Sequence, residues 1–307
     1  MGLVALLLIL VAGPAWAHPM PAAPVREVLT HFSFEPWVVV PMLLAAVLYA
    51  AGVVRLWRHA GAGRGITRMQ VACFAAGWLS LFVALMSPLD ALGDKLFSAH
   101  MVQHEILMLV TAPLMVLARP LAAWTWAFPQ AQRHRIGHAV QARWWSSVWG
   151  FITDPLVAWA LHAIALWGWH VPQLFEAALD NEGIHALQHA SFLGTALLFW
   201  WAVLGRDARL RTGSGAAMAY LFTTMMHTSA LGALLTLAPT PWYPHYAETS
   251  ALFGLDPVED QQLGGLVMWV PGGAAYLIAA LVIMARLLST RFHRSTPAGP
   301  APLRSDA

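Results

Sequence analysis

Long apolar runs dominate the chain and restrict it to folds that a bilayer can hold. A transmembrane helix needs about 20 predominantly apolar residues. Runs that approach or exceed this length occur at residues 37–57, 70–88, 98–118, 155–170, 184–204, 215–238 and 263–288. Hydrophobic residues make up 59% of the chain and charged residues 10%, whereas soluble domains are about a quarter charged. The sequence therefore predicts an all-α integral membrane protein, a bundle of seven transmembrane helices formed by residues 18–290.

Both ends of the chain are predicted to lie outside this membrane domain. Residues 1–17 hold a short apolar stretch followed by Ala15-Trp16-Ala17, which fits the cleavage site of a signal peptide. Because no Lys or Arg precedes that stretch, an uncleaved N-terminal anchor is the alternative. Residues 291–307 are rich in proline and polar side chains, and we predict a disordered cytoplasmic tail there.

Basic residues are distributed unevenly between the two sides of the predicted bundle. Of the 17 lysines and arginines, all but Arg26 and Lys95 follow the first, third and fifth predicted spans or lie in the C-terminal segment. Cytoplasmic segments carry such an excess. We therefore predict an outside N-terminus and a cytoplasmic C-terminus in a bacterial plasma (inner) membrane. Because these residues are spread over four segments, they indicate contact with membrane lipid and no nucleic-acid partner.

Two histidine pairs with the same spacing begin two different apolar runs, His100 with His104 and His185 with His189. Residues four apart share one face of a helix. In the predicted topology both helices begin at the outer side, and His170 ends the fourth span at the same level. We therefore expect five imidazoles from three helices to meet near the periplasmic face. Ionisable side chains inside a membrane are candidate functional residues because their burial is costly.

Other polar side chains lie deeper in the predicted spans. His162 and His227 are placed near the middle of the membrane, and Glu105 is the only carboxylate within any predicted span. A carboxylate there needs protonation, a hydrogen bond or a cation. These three residues extend the candidate site inward.

Methionines accompany the histidines. Met108 and Met115 continue the helical face of the first pair, and Met225 and Met226 precede His227. Imidazole and thioether without thiolate suit Cu(I), and the single cysteine of the chain excludes a CxxC site. We therefore predict a copper-binding protein that is not an enzyme. Its candidate metal ligands are His100, His104, His185, His189, His170, Met108, His227, His162 and Glu105.

The pair spacing occurs a third time, at His134 and His138, in a basic segment predicted to lie along the inner membrane surface. Arg133 and Arg135 flank this pair and disfavour a cation, so we expect surface residues. Methionines at helical spacing are also common packing residues, and buried imidazoles are often satisfied by hydrogen bonds. The metal assignment therefore depends on two pairs lying at one depth.

Several strings together resemble the CtaG-like polytopic cytochrome c oxidase assembly factor family of bacteria. They are HMVQH at 100–104 continuing to ARP at 118–120, WGWHVP at 167–172, HALQH at 185–189, MHT at 226–228 and DQQLGG at 260–265, within a similarity over residues 34–288. The resemblance implies a plasma-membrane protein that helps to mature a haem-copper oxidase by delivering copper. Its implied partners are a haem-copper oxidase subunit and a copper donor protein. The single-span copper chaperone that shares the CtaG name differs, because its Cys-x-Cys pair is absent here.

Two other functions are compatible with the same residues. A b-type cytochrome would hold haem between histidines of two helices, but it needs one histidine from each helix and not two. A copper transporter or proton-coupled channel would use Glu105, His162 and His227 as a relay, but the inner halves of the spans offer few polar side chains. Copper delivery at the outer face is the function that we expect.

Overall fold

The regular secondary structure is entirely helical in the described residues, 22–205 and 214–295 of the computed structural model. The all-α class is therefore confirmed for this part of the chain, and the predicted signal peptide lies outside it. The elements are α1 (Ala22–Thr30), α2 (Pro36–Ala60), α3 (Arg68–Met86), α4 (Pro88–Gly93), α5 (Phe97–Glu105), a π-helical segment (Ile106–Thr111), α6 (Ala112–Ala118), α7 (Pro120–Trp126), α8 (Gln130–Gln141), α9 (Arg143–Ile152), α10 (Pro155–Trp169), α11 (Pro172–Asp180), α12 (Glu182–Leu204), α13 (Ser214–Leu237), α14 (Tyr246–Thr249), a 3-10 turn (Ser250–Phe253) and α15 (Pro257–Ser295).

Five of the described helices are long and apolar enough to cross a membrane. They are α2, α3, the continuous helix Phe97–Ala118, α12 and the part of α15 from Pro257 to Ala285. The number becomes six if α9 and α10, which meet at an angle of 61°, form one bent span. The predicted span 215–238 corresponds to α13, which carries His227 and several threonines and is not among these helices. Transmembrane helical character is supported, whereas seven spans and their orientation stay predictions.

The last helix is longer than expected. The predicted tail begins at residue 291, but α15 continues to Ser295. The first proline beyond residue 290 is Pro297, so nothing in residues 291–295 forces the helix to stop. Residues 296–307 lie outside the described part of the chain.

The helix that carries His100 and His104 changes its hydrogen-bonding register after Glu105. α5 passes into the π-helical segment, and α6 then begins beside Pro113, which cannot donate a backbone hydrogen bond. An inserted residue rotates everything beyond it by about 100°. Met115 therefore packs beside Gly77 of α3. The prediction that Met115 shares the histidine face is wrong for this reason.

Asp260 of α15 holds the first turn of α5. Its carboxylate accepts hydrogen bonds from the N–H groups of Phe97 at 2.6 Å and Ser98 at 3.1 Å, and from the Ser98 hydroxyl at 2.5 Å. The first N–H groups of a helix have no partner within it, and Leu96 at the N-cap position supplies no side-chain cap. A carboxylate at a helix N-terminus also interacts favourably with the helix dipole. Asp260 therefore sets the position of the turn that leads to His100.

Helices α13 and α15 approach closely through glycines. A Cβ atom built on Gly265 would lie 2.6 Å from the carbonyl oxygen of Gly232 and 2.4 Å from Oγ1 of Thr236. Small residues allow such contact between membrane helices. Because Asp260 lies one and a half turns before Gly265 on the same helix, this contact also supports the Asp260 cap.

We expect Gly265→Ala to destabilise the protein, because its methyl group would meet backbone and side-chain atoms of α13. Overpacking of this kind costs about 1–3 kcal/mol of unfolding free energy, measurable as a lower midpoint of thermal unfolding in detergent. Gly194→Ala on α12 is the matched control, because a Cβ atom there meets no atom within 4 Å. Equal midpoints for the two variants would contradict the close contact.

Asp260→Ala is expected to destabilise the protein through the loss of the α5 cap. Hydrogen bonds to a charged group are worth about 1.5–3 kcal/mol, and the buried N–H of Phe97 would lose its partner. Amide hydrogen exchange at the start of α5 should speed up together with a fall in the unfolding midpoint. Glu248→Ala, at an exposed residue of α14, should change neither quantity, and a similar loss in both variants would disprove the cap.

Candidate metal centre

Three histidines from two helices form the tightest imidazole group in the described residues. One ring nitrogen each of His100 on α5 and of His185 and His189 on α12 lie within 4.8 Å of one another. A metal ion about 2.0–2.1 Å from each imidazole nitrogen would hold them about 3.3–4.1 Å apart. Small side-chain rotations would therefore close this group around a single ion. We call these residues the three-histidine site.

His104 extends the site by one helical turn. Its ring centre lies 4.3 Å from that of His100 and 5.2 Å from that of His189, in both cases nearly edge to face. Both its nitrogens are buried and have no hydrogen-bond partner among the described residues. The i, i+4 spacing thus places the first pair against the second, as the sequence predicts.

His170 lies at the edge of this group and, unlike His104, is hydrogen-bonded. Its ring centre is 6.4 Å from that of His104. Its Nδ1 is 2.6 Å from the carbonyl oxygen of Leu166, and its Nε2 is 3.5 Å from the sulfur of Met101. The Nδ1–H therefore donates to the backbone, which leaves a lone pair on Nε2 beside the thioether. Met101 was not predicted, because it directly follows His100 and therefore lies off the helical face that His100 and His104 share.

Unpartnered nitrogens are concentrated in the group. His185 Nε2 and His189 Nε2 are buried without a hydrogen-bond partner among the described residues, in addition to both nitrogens of His104. Leaving a buried polar atom unsatisfied costs about 1–3 kcal/mol. Metal coordination would satisfy such lone pairs, so the residues present fit a metal ion.

Tyr246 orients the ring of His100, and Gln188 lies beside it. The Tyr246 hydroxyl donates to the carbonyl oxygen of Gly93 at 2.9 Å and lies 3.3 Å from His100 Nδ1. Burial, reinforced by the negative charges of Asp260 and Asp94, raises the pKa of Tyr246 far above its ordinary value, so this hydroxyl stays protonated. Its oxygen can accept the Nδ1–H of His100, which directs the Nε2 lone pair away from Tyr246. Gln188 Oε1 lies 3.3 Å from that Nε2 and, being an acceptor itself, makes no hydrogen bond with its lone pair in this tautomer.

The sequence points to Gln188 as a neighbour of the histidines, but not to Tyr246. Gln188 lies inside the HALQH string, one residue before His189, so its proximity to the site could have been inferred. Tyr246 is 146 residues from His100 in the chain, and no spacing rule connects them.

Glu105 points away from the three-histidine site, and Met108 belongs to the apolar core. Glu105 Oε2 points towards α15, where a Cβ on Gly272 would lie 3.1 Å from it, and it has no hydrogen-bond partner among the described residues. One residue beyond His104 turns a helix by about 100°, which explains the different direction. Met108 is buried in the larger apolar core, and its carbonyl oxygen accepts the indole N–H of Trp200 at 2.9 Å.

His162 and His227 form a separate polar region. His162 Nδ1 lies 3.2 Å from the hydroxyl of Thr195, and its Nε2 has no partner among the described residues. The His227 ring packs perpendicular to Trp159 at 5.4 Å, and both its nitrogens are buried without a partner there. Of the two methionines before His227, Met226 is exposed, so it faces away from this interior.

The third histidine pair lies away from the site. His134 and His138 are both exposed on α8, which agrees with the expected surface location.

A cavity of about 860 Å³ connects the three-histidine site with the surface. His185 and His189 line it, together with residues from the beginning of α2, from α4 and from the junction of α11 with α12. The site is therefore buried but within reach of small solutes.

Comparison with known proteins agrees with the family resemblance. The family described as cytochrome c oxidase caa3 assembly factor (Caa3_CtaG) has a model that matches residues 47–290. Two proteins described as uncharacterized, from Mycobacterium bovis and Mycobacterium tuberculosis, are each 26% identical over 258 residues, which is 82% of this chain and 39% of theirs. One from Mycobacterium leprae, also described as uncharacterized, is 25% identical over 276 residues, or 87% of this chain and 41% of its own.

The chain thus spans about two fifths of the length of these relatives. No solved structure matches it. Since the family match extends over most of the chain and includes the helices that carry the histidines, the protein belongs to the cytochrome c oxidase caa3 assembly factor family.

Proposed function

We propose that this protein binds copper, as Cu(I), at the three-histidine site near the outer face of the plasma membrane, and delivers it to a haem-copper oxidase subunit during assembly. One observation carries the proposal: nitrogens of His100, His185 and His189 lie within 4.8 Å of one another, next to buried imidazole nitrogens without partners. The family description supports a role in oxidase assembly.

The ligand chemistry and the apolar surroundings favour a monovalent ion. The site offers neutral imidazoles and, at His170, the thioether of Met101. Soft thioether ligands select Cu(I) over hard cations. Placing charge in an apolar interior is costly, so a singly charged ion among neutral ligands costs less than a doubly charged one. No carboxylate joins the three histidines within 4.8 Å among the described residues.

The spacing of the rings favours an ion over haem. Axial histidines of a haem lie on opposite faces of the macrocycle, so their rings must be separated by it. Here the ring centres of His100 and His185 are 5.3 Å apart, and those of His185 and His189 are 4.3 Å apart. Rings this close leave no space for a porphyrin between them.

Transfer, not chemistry, is the function that this arrangement supports. His104 and His170 continue from the three-histidine site, and the unpartnered nitrogens of His162 and His227 offer deeper positions for a soft ion. A docked oxidase subunit would take copper from these residues, and a copper donor protein would supply it from outside. Glu105 faces α15 and Met108 is enclosed in the core, so both have a smaller part in this proposal than the sequence suggested.

His185→Ala/His189→Ala is expected to remove most of the copper, because it deletes two of the three closest ligands. Protein purified and loaded under reducing conditions should hold about one Cu per chain in the wild type, measured by elemental analysis. His134→Ala/His138→Ala is the matched control, because the spacing is identical and both residues are exposed. It should retain wild-type copper.

Retention of copper by His185→Ala/His189→Ala, with an unchanged unfolding midpoint, would disprove the site. The absorption spectrum of the same samples tests for haem. A Soret band present in the wild type and lost in His185→Ala/His189→Ala would show that the histidines bind haem and not copper.

Tyr246→Phe is expected to weaken copper binding without abolishing it. Loss of a hydrogen bond to a metal-bound histidine typically costs about 10–100-fold in affinity, and this variant loses the partner of His100 Nδ1. Competition with a Cu(I) chelator measures the effect. Tyr220→Phe serves as control, since its hydroxyl also donates to a backbone carbonyl, that of Phe199, away from the histidines. Equal affinities in the two variants would show that Tyr246 does not position His100.

A further inference from the structure

The cavity that leads to the three-histidine site has a strongly acidic wall. Its lining includes five carboxylates and a single lysine, Lys95. The carboxylates, which we call the acidic vestibule, belong to Glu35, Asp90, Asp94, Asp180 and Glu182. They come from four places in the fold: the residue before α2, α4 and the residue that follows it, the end of α11, and the start of α12.

These carboxylates lie close enough to influence one another. Partial burial, followed by the negative charges of Asp90 and Glu182, raises the pKa of Glu35 above its ordinary value of 4.5. Asp90 is held in place, because it accepts hydrogen bonds from the Ser33 hydroxyl at 2.6 Å and from Gln103 Nε2 at 2.8 Å. Like charges gathered at one opening are unfavourable for the protein alone and favourable when a cation is present.

The inner end of the same cavity carries imidazoles. His189 lines it, is only 8% exposed, and has an Nε2 atom without a hydrogen-bond partner among the described residues. His185 lines it too, and its unpartnered Nε2 belongs to a ring stacked 5.3 Å from that of His100. The cavity therefore changes from charged oxygen ligands at its opening to neutral nitrogen ligands at its end.

We propose that the acidic vestibule is the access route of the metal site: it attracts a hydrated metal cation from water and passes it to the three-histidine site, whose His185 and His189 line the cavity. This rests on the proposed function. A cleft lined by one sign of charge focuses the electric field and raises association rates by about 10–1,000-fold, with a steep dependence on ionic strength. Oxygen ligands accept a hydrated cation, and the soft nitrogen site then retains Cu(I).

The rate of copper loading tests this route. Glu35→Gln/Asp94→Asn/Glu182→Gln removes three charges and leaves Asp90 with its hydrogen bonds. Loading with Cu(I) as its cationic acetonitrile complex, followed by stopped-flow tryptophan fluorescence, should slow by about 10-fold or more at low salt. The final copper content should stay the same, and the salt dependence should flatten.

The control is Glu27→Gln/Glu248→Gln/Glu259→Gln, which removes the same charge from exposed residues that do not line the cavity. It should load at the wild-type rate and with wild-type salt dependence. Unchanged loading in the vestibule variant, or equal slowing in both, would overturn the access route.

A thiol probe tests the vestibule without copper. Ala186 lines the cavity, and Cys73 is the single cysteine of the chain, so Ala186→Cys in a Cys73→Ala background supplies one reporter. It should react faster with a cationic than with an anionic methanethiosulfonate reagent, and this ratio should fall by about 10-fold after the three neutralising substitutions. A ratio near one in the parent protein would overturn the proposal.

The two readouts separate the failure of each proposal. Charge selectivity at residue 186 with no copper bound to the wild type would disprove the proposed function and retain a cation-attracting cavity. Normal copper binding without charge selectivity would disprove the vestibule alone.

Discussion

The cost of burying polar atoms in an apolar helix bundle governs the arrangement of this protein. Each imidazole placed inside must obtain a hydrogen bond or a metal. His170 obtains the Leu166 carbonyl, and His100 obtains the Tyr246 hydroxyl. Nitrogens of His104, His185 and His189 remain without partners, so a bound ion would stabilise these atoms most. Structure and proposed function follow from the same constraint.

The elements around the histidines serve to hold them in register. Asp260 caps α5 from a helix that lies more than 160 residues further along the chain, and the glycine contact between α13 and α15 fixes the helix that carries Asp260. Gln103 connects this support with the cavity, because its side-chain amide donates to the carbonyl of Ala84 and to Asp90. A displacement of α5 would thus change both the candidate metal ligands and one wall of the acidic vestibule.

The polar interior has two regions with different environments. The region around the three-histidine site combines imidazoles with Tyr246, Gln188 and a cavity that reaches the surface. In the second region, His227 packs against the ring of Trp159 and His162 against the ring of Phe199.

The sequence by itself determined the helical class, the apolar character, the family, and the pairing of His100 with His104 and of His185 with His189. These properties depend on composition and on the 3.6-residue helical period, which are local. Tertiary structure decided which imidazoles meet, the removal of Met115 from the histidine group, and the roles of Tyr246 and Asp260. It did so because a register slip before Pro113 rotates one helix and because contacts between distant segments depend on packing, which no local period records.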